Sequence, residues 1–541
     1  MRILGKSAPL EVSLQNMYNA INKLDINTTL SKELHPLENC FSVNLSFDGA
    51  PKLVYSNGKG TTNDACLASA YGEFIERIQT NNFFSDFYLP NRKHFNDEVI
   101  FTFNEKYLSD SLMKIYNPNG ELLDEDFVDF NSDFEDKIVA LPFKRFNTEE
   151  VVFIPHNLIS NLYVSNGLAS GNTNKEAQIQ GLAEIIERYV KIKIIKDGLS
   201  LPSYPDEIIS KFEKLNNDKK TLESHGYIID ILDASLGGKY PVTAISLINP
   251  RNSTIFVSFG AHPILEVSLE RTMTELMQGR DLNKLDSFET PTFDMTQIND
   301  SSNIESHFVD SNGKIGFLFL NKHKSFTFSS WQFEHENIDK ELIFLENIIK
   351  GENKEIYIRE YESLGFYSCQ IIVPGFSEIY EFEDLIYNNK NTAKLIRRMV
   401  LNFTDYEPNE ILDMISSLDN SIDVGKYIGV IFKNPFTMAE FKAQMHILSD
   451  ELNEAKEILF FNENANNKRL SQVVSELILL DDENYNFSDF ESGLYSIFGK
   501  DLVSKGLNII ASKEYLIDVS VSEEYENILS FYDKFKAFDT K

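Results

Sequence analysis

Residues 165–190, "SNGLASGNTNKEAQIQGLAEIIERYV", combine a turn, a strand-like fragment and a long polar-striped helix, and their reading decides the fold. At about 100° per residue, Glu176, Gln180, Glu184, Glu187 and Arg188 fall on one arc of a predicted helix, while Ile179, Leu182, Ile185, Ile186 and Tyr189 take the other side. The stretch has an earlier counterpart at 56–79, "SNGKGTTNDACLASAYGEFIERIQ". Both begin with Ser-Asn-Gly and close on matching hexapeptides, Gly72–Arg77 and Ala183–Arg188. Each copy is predicted to run from a strand through an Asn-Gly turn and small polar residues into a helix. In the first copy Ser69, Glu73, Glu76 and Arg77 make the corresponding stripe.

One such helix alone reads most simply as a solvated face carrying i,i+4 pairs, here Glu73 with Arg77, Glu184 with Arg188 and Glu187 with Lys191. Duplication argues against that, because a solvated face has no reason to repeat Glu-x-x-Glu-Arg after the same lead-in. A third predicted helix, "LEVSLERTMTELMQGR" at 265–280, adds Arg271, Glu275, Gln278 and Arg280. Carboxylates that face one another raise each other's pKa, so such a cluster calls for cations. Mg2+ fits, as a hard ion that takes oxygen ligands and shares them with phosphates, with arginines clamping the remaining anionic charge.

The rest of the chain is consistent with a large intracellular protein. It has 541 residues, 42% of them hydrophobic, enough for more than one packed core. Its formal charge of −32 disfavours direct nucleic-acid or anionic-membrane binding. Cys40, Cys66 and Cys369 lie far apart and form neither a disulfide framework nor a zinc motif. The start, "MRILGKSAPLEV", lacks the apolar core of a signal peptide, and no apolar run is long enough to span a membrane, so a cytoplasmic location is expected. "SNGKGTT" fails the phosphate-loop spacing, since Gly60 follows Lys59 and no glycine stands five before Gly58; no GxGxxG, HRD, DFG or GxSxG is present. His262 in "FGAHP" reads as a structural, helix-entry histidine.

Strand-like runs such as "VVFIP", "YPVTAISLI", "STIFVSFGA" and "YSCQIIVPG" alternate with helices up to about residue 388, predicting an α+β (mixed α/β) domain over 1–388. From 389 to 541 the periodicity turns helical, predicting an all-α domain. Within it, "MAEFKAQMHILSDELNEAKEILFF" breaks near Ser449 and Asp450 like a tetratricopeptide-type hairpin, although a generic bundle fits equally. "LLDDENYNFSDFE" reads as a solvated loop.

These helices resemble the YcaO family, whose ATP site is built from Ser-x-x-x-Glu-x-x-Glu, Glu-x-x-x-Gln-x-x-x-Glu-x-x-Glu-Arg and Arg-x-x-x-Glu helices. The three patterns stand here as Ser69/Glu73/Glu76, Glu176/Gln180/Glu184/Glu187/Arg188 and Arg271/Glu275, with Asn172 in the preceding "SGNT" turn. "GKSAPLEVSLQNM" resembles the family's nucleotide-contacting N-terminal segment and implicates Lys6 and Ser13. The resemblance implies ATP and Mg2+ as cofactors. Glu73, Glu76, Glu184, Glu187 and Glu275 would hold metal, and Lys6, Arg188 and Arg271 would meet phosphate. Ser13, Ser69, Asn172, Glu176 and Gln180 would complete the nucleotide site.

Relatives phosphorylate a peptide amide oxygen in azoline, thioamide or amidine formation. Azoline-forming members end in a proline-rich tail, whereas the last proline here is Pro435 and the chain stops at "DKFKAFDTK". The resemblance therefore points to the subgroup with a helical, tetratricopeptide-like extension. That implies an accessory role in β-methylthiolation of a small-subunit ribosomal protein by a radical methylthiotransferase. Thioamidation-type amide activation and a non-catalytic nucleotide-binding adaptor stand as alternatives. A homodimer is expected by resemblance alone, and no catalytic residue is assigned.

Overall fold

The computed structural model describes residues 3–309, 311–462 and 465–539. Helix α1 (Leu10–Asn22) leads into an antiparallel sheet of β1 (Thr28–Leu37), β2 (Cys40–Phe47) and β3 (Ser56–Gly60), from which α2 (Asn63–Gln79) departs. A second sheet begins with β4 (Val99–Thr102), β5 (Lys137–Arg145), β6 (Val151–Pro155) and β7 (Leu168–Gly171), and α3 (Asn174–Lys196) leaves β7. The third sheet, of β8 (Ile228–Asp233), β9 (Val242–Asn249) and β10 (Thr254–Ala261), feeds α4 (Leu265–Met277). Then β11 (Tyr357–Tyr361) and β12 (Tyr367–Ile372) complete the second sheet, ordered β4-β5-β11-β12-β7 with β6 beside β5. All of these ladders are antiparallel, which makes the fold α+β as expected.

The two related helices start alike. Thr62 caps α2 by accepting from the Ala65 N–H at 3.2 Å, and Thr173 caps α3 by accepting from the Glu176 N–H at 3.3 Å. Each side-chain oxygen satisfies one of the N–H groups that a helix start leaves free. Glycine closes each preceding strand for a packing reason. A Cβ on Gly60 would lie 2.5 Å from the Cys66 nitrogen, and one on Gly171 would lie 2.7 Å from the Ala177 nitrogen. Only an absent side chain lets strand and helix approach so closely.

The two Ser-Asn-Gly triplets are not equivalent, contrary to expectation. Residues 56–58 lie inside β3, paired with Leu45, Asn44 and Val43 of β2, whereas 165–167 form a turn ahead of β7, closed by Asn166 N–H to Tyr163 O at 2.8 Å. Gly167 takes φ +80° there, and Gly58 has no such need. The capping threonines and hexapeptides, rather than the triplets, align the two units.

The C-terminal region is mainly helical, with the expected hairpin at Met438–Leu448 and Leu452–Phe460; Asp450 adopts φ +61° in its turn. It is not all-α. β13 (Phe432–Asn434) and β14 (Asp518–Val521) pair antiparallel across more than eighty residues of sequence, too short to show a strand period. "LLDDENYNFSDFE" is exposed at 481–486 as expected, but only 483–486 are loop, the rest belonging to the end of the helix Lys468–Asp482 and the start of Phe487–Phe498. One apolar core runs through both regions: Phe47, Phe74 and Phe84 pack in the same cluster as Phe441, Phe531 and Phe535. Cys40, Cys66 and Cys369 are free and buried. No helix among the described residues is long and apolar enough to cross a membrane.

Candidate functional site

Helices α2, α3 and α4, the turn before α3, α1 and the segment ahead of it enclose a cavity of about 380 Å³, within the range of small-molecule sites. Each site residue proposed from sequence lines it. Lys6 and Ser13 come from the N-terminal segment and α1, Ser69, Glu73 and Glu76 from α2, and Asn172 from the turn. Glu176, Gln180, Glu184, Glu187 and Arg188 come from α3, and Arg271 and Glu275 from α4. Ile179, expected on the apolar side of α3, also reaches the wall, and Gln278 borders it. Arg280 does not; its guanidinium stacks over Phe256 at 4.2 Å. Lys191 also differs from expectation, donating to the His307 carbonyl at 2.6 Å.

The wall is a mesh of carboxylates and cations. Arg77 lies 3.4 Å from Glu73 and 3.6 Å from Glu76, and Arg188 lies 3.3 Å from Glu184. Arg271 donates to the Gln180 amide oxygen, and Lys59 pairs with Glu275. Glu187 accepts from the Ala261 N–H at 3.1 Å, tying α3 to the end of β10. Glu176 is already well satisfied: Lys6 stands at 3.3 Å, the Ser7 N–H donates at 3.0 Å, and the Asn172 amide donates to both oxygens at 3.1 Å. Burial opposes its ionisation, but these partners outweigh it and hold the carboxyl below its usual range.

The other buried carboxyls behave oppositely. Burial pushes Glu76 up to about 8 despite Arg77 beside it, and Glu73 and Glu184 add to the shift. Burial likewise raises Glu187, opposed by Arg271 and Lys59. For Lys59 burial dominates again, with Arg271 assisting, and lowers its ammonium to about 8. Each group pays for desolvation that its neighbours only partly offset.

Two buried polar atoms in this wall lack a hydrogen-bond partner, Nη1 of Arg77 and Oδ1 of Asn172. A cationic donor left over beside carboxyls that resist ionisation fits a site for a polyanion plus divalent cations: the ions satisfy the carboxylates and the anion satisfies the arginine. The carboxylate oxygens of Glu73, Glu76, Glu184, Glu187 and Glu275 are hard donors of the kind that suits Mg2+.

Lys59 and Arg77 line the cavity without having been assigned a site role from sequence, although Arg77 stands in the polar stripe of its helix. Arg77 had a signal, being the counterpart of Arg188 in the duplicated hexapeptide. Lys59 stands in sequence only within "SNGKGTT", a stretch that fails the phosphate-loop spacing. His262 is in the wall, its Nδ1 accepting from the Ile264 N–H at 3.1 Å, as suits a helix-entry histidine; burial holds its pKa far below the usual value.

The fold and site together define an α+β protein whose separated helices build an acidic, arginine-edged small-molecule cavity. The family of ATP- and Mg2+-binding YcaO cyclodehydratases matches residues 57–377 by its model, and the chain belongs to the YcaO family. It is 41% identical to the ribosomal protein S12 methylthiotransferase accessory factor YcaO of Escherichia coli, over 77% of this chain and 73% of that one. An uncharacterized protein of Haemophilus influenzae is 36% identical over 98% of this chain and 97% of its own length. Among solved structures, YcaO from Methanopyrus kandleri bound with AMPPCP and Mg2+ is similar with a TM-score of 0.43 and 15% identity, covering 71% of this chain and 94% of that one.

Proposed function

We propose that this chain binds ATP with Mg2+ in the glutamate-lined cavity and acts in the cytoplasm as an accessory factor in β-methylthiolation of a small-subunit ribosomal protein, beside a separate radical methylthiotransferase. The observation that carries the reading is the convergence on one cavity of carboxylates and arginines from α2, α3 and α4. The particular role is supported by 41% identity to the Escherichia coli accessory factor.

In this reading Glu73, Glu76, Glu184, Glu187 and Glu275 hold Mg2+, and Lys6, Arg188 and Arg271 meet phosphate. Ser13, Ser69, Asn172 and Gln180 take the nucleoside and adjoining oxygens. Bound Mg2+ supplies the positive charge that lets a triphosphate rest among carboxylates. Glu176, tied to Lys6, Ser7 and Asn172, fastens the N-terminal segment over the site. In this reading residues 1–388 form the nucleotide-binding part and the helical residues 389–541 offer a surface for protein partners, while a homodimer rests on the family resemblance alone.

A second reading, phosphorylation of a peptide amide oxygen, draws support from the family's description as cyclodehydratases. Calorimetry with ATP tests the shared basis. Wild type should bind ATP only with Mg2+, and Glu187→Ala should weaken binding at least tenfold; equal affinity in every arm overturns the metal-bridged site. Mass spectrometry of the ribosomal protein from cells with and without this chain separates the two readings.

A further inference from the structure

Lys59 has a position that no part of the nucleotide reading uses. Gly58 and Gly60 on either side of it press β3 against α2: a Cβ on Gly58 would lie 2.4 Å from the Cys66 carbonyl oxygen, and one on Gly60 would lie 2.5 Å from the Cys66 nitrogen. Neighbouring residues of a strand face opposite ways, so Lys59 projects from the other face, toward α4. There it enters the cavity and pairs with Glu275.

The other cations of the wall are held differently. Arg77 and Arg188 pair within their own helices, with Glu73 and Glu184, Arg271 meets a neutral amide, Gln180, and Lys6 pairs with Glu176, which is not assigned to metal. Lys59 alone of these reaches from a strand to a carboxylate on another element that is itself assigned to metal. An ammonium is a compact charge on a flexible stem, able to change partners by side-chain rotation where a forked guanidinium is pre-set. A divalent ion entering beside Glu275 repels it, and a phosphate arriving with the ion attracts it.

We propose that Lys59 is the resident counter-cation of the cavity, neutralising Glu275 when the site is empty and transferring to the phosphates of the nucleotide when metal takes the carboxylate. The exchange rests on the proposed MgATP site. It makes Lys59 an antagonist of metal without nucleotide and a ligand with it, so that metal and nucleotide bind cooperatively.

Wild type, Lys59→Met and Lys59→Arg are titrated with Mn2+ alone, followed by electron paramagnetic resonance, and with ATP at saturating Mg2+, followed by calorimetry. Lys59→Met should bind Mn2+ alone about tenfold tighter and ATP about tenfold weaker than wild type, the two effects having opposite sign. Lys59→Arg should keep ATP affinity within about threefold. Unchanged or weaker Mn2+ binding by Lys59→Met, or unchanged ATP affinity, overturns the exchange while leaving the site intact. Failure of wild type to bind ATP with Mg2+ overturns the site and the exchange together. Amine labelling of wild type, read by mass spectrometry, needs no variant: Mg2+ alone should raise labelling of Lys59 and Mg2+ with ATP should suppress it. Labelling indifferent to both overturns the proposal.

Discussion

Thr62 and Thr173 do the same work in two distant parts of the chain, each closing the first turn of a glutamate-bearing helix by accepting an N–H three residues on. Thr62→Ala and Thr173→Ala should each destabilise the fold by about 1 kcal/mol. Thr173→Ala should also loosen the N-terminal segment, because the Thr173 hydroxyl stands 3.2 Å from that of Ser7. Denaturant titration reads the first effect and faster amide exchange at Ser7 the second; Thr62→Ala should leave Ser7 unchanged.

Strand glycines should be intolerant where a helix backbone lies against them. Gly60→Ala and Gly171→Ala place a Cβ within 2.7 Å of backbone nitrogen, and each should cost about 1–3 kcal/mol through forced displacement. Gly493→Ala, in the helix Phe487–Phe498 with nothing within 4 Å, should instead gain up to about 1 kcal/mol. Unfolding midpoints of the three variants check both signs.

Ligand linkage gives a stability readout of the cavity. At a hundredfold excess over Kd, ATP with Mg2+ should add about 2.7 kcal/mol to stability. EDTA should abolish that gain, and Glu187→Ala should show little of it. Thermal melting with ATP alone, Mg2+ alone and both together measures it, and stabilisation by ATP in EDTA would contradict the metal-bridged site.

Buried histidines should make the protein acid-labile. Burial, aided by Lys191, lowers His307 to about 3, and burial with His94 nearby holds His156 far below its usual value. Both are neutral when folded and gain a proton on unfolding below the unfolded pKa near 6.5, so the unfolded chain binds more protons and stability falls as pH drops. His307 alone should cost about 2 kcal/mol at pH 5 relative to pH 7. Asp129, held far below its usual range by His94 and Lys394 against the effect of burial, acts the same way, its stabilisation being lost below about pH 4. Melting temperatures from pH 7 to 5 should fall, and less steeply in His156→Phe, which keeps the ring stacked 3.9 Å from His94 without a titrating nitrogen.

Much of the site was legible because it was written twice. Helical spacing put Glu176, Gln180, Glu184 and Glu187 on one face, and the duplicate Glu73/Glu76 implied a shared task; structure adds only that the faces meet. Lys59 escaped because its partner Glu275 stands 216 residues further along the chain, a tertiary fact invisible to motif spacing. The false equivalence of the two Ser-Asn-Gly triplets has a similar cause, since Asn-Gly serves in a strand as readily as in a turn once a partner strand supplies hydrogen bonds. β13 and β14 were beyond reach, because their pairing comes from chain folding rather than local pattern.

The core shared by Phe47, Phe84, Phe531 and Tyr532 also sets an order of events during synthesis, with ring centroids of Phe47 and Phe531 only 4.3 Å apart. The sheet of β1 to β3 leaves the ribosome early, yet its aromatic face is covered by a helix made last, on the order of tens of seconds later at synthesis rates of about 5–20 residues per second. For that interval the nascent chain carries an uncovered greasy surface. Truncation after residue 388 would make that condition permanent, and such a fragment should accumulate as aggregate or chaperone-bound client rather than as a free-standing nucleotide-binding unit.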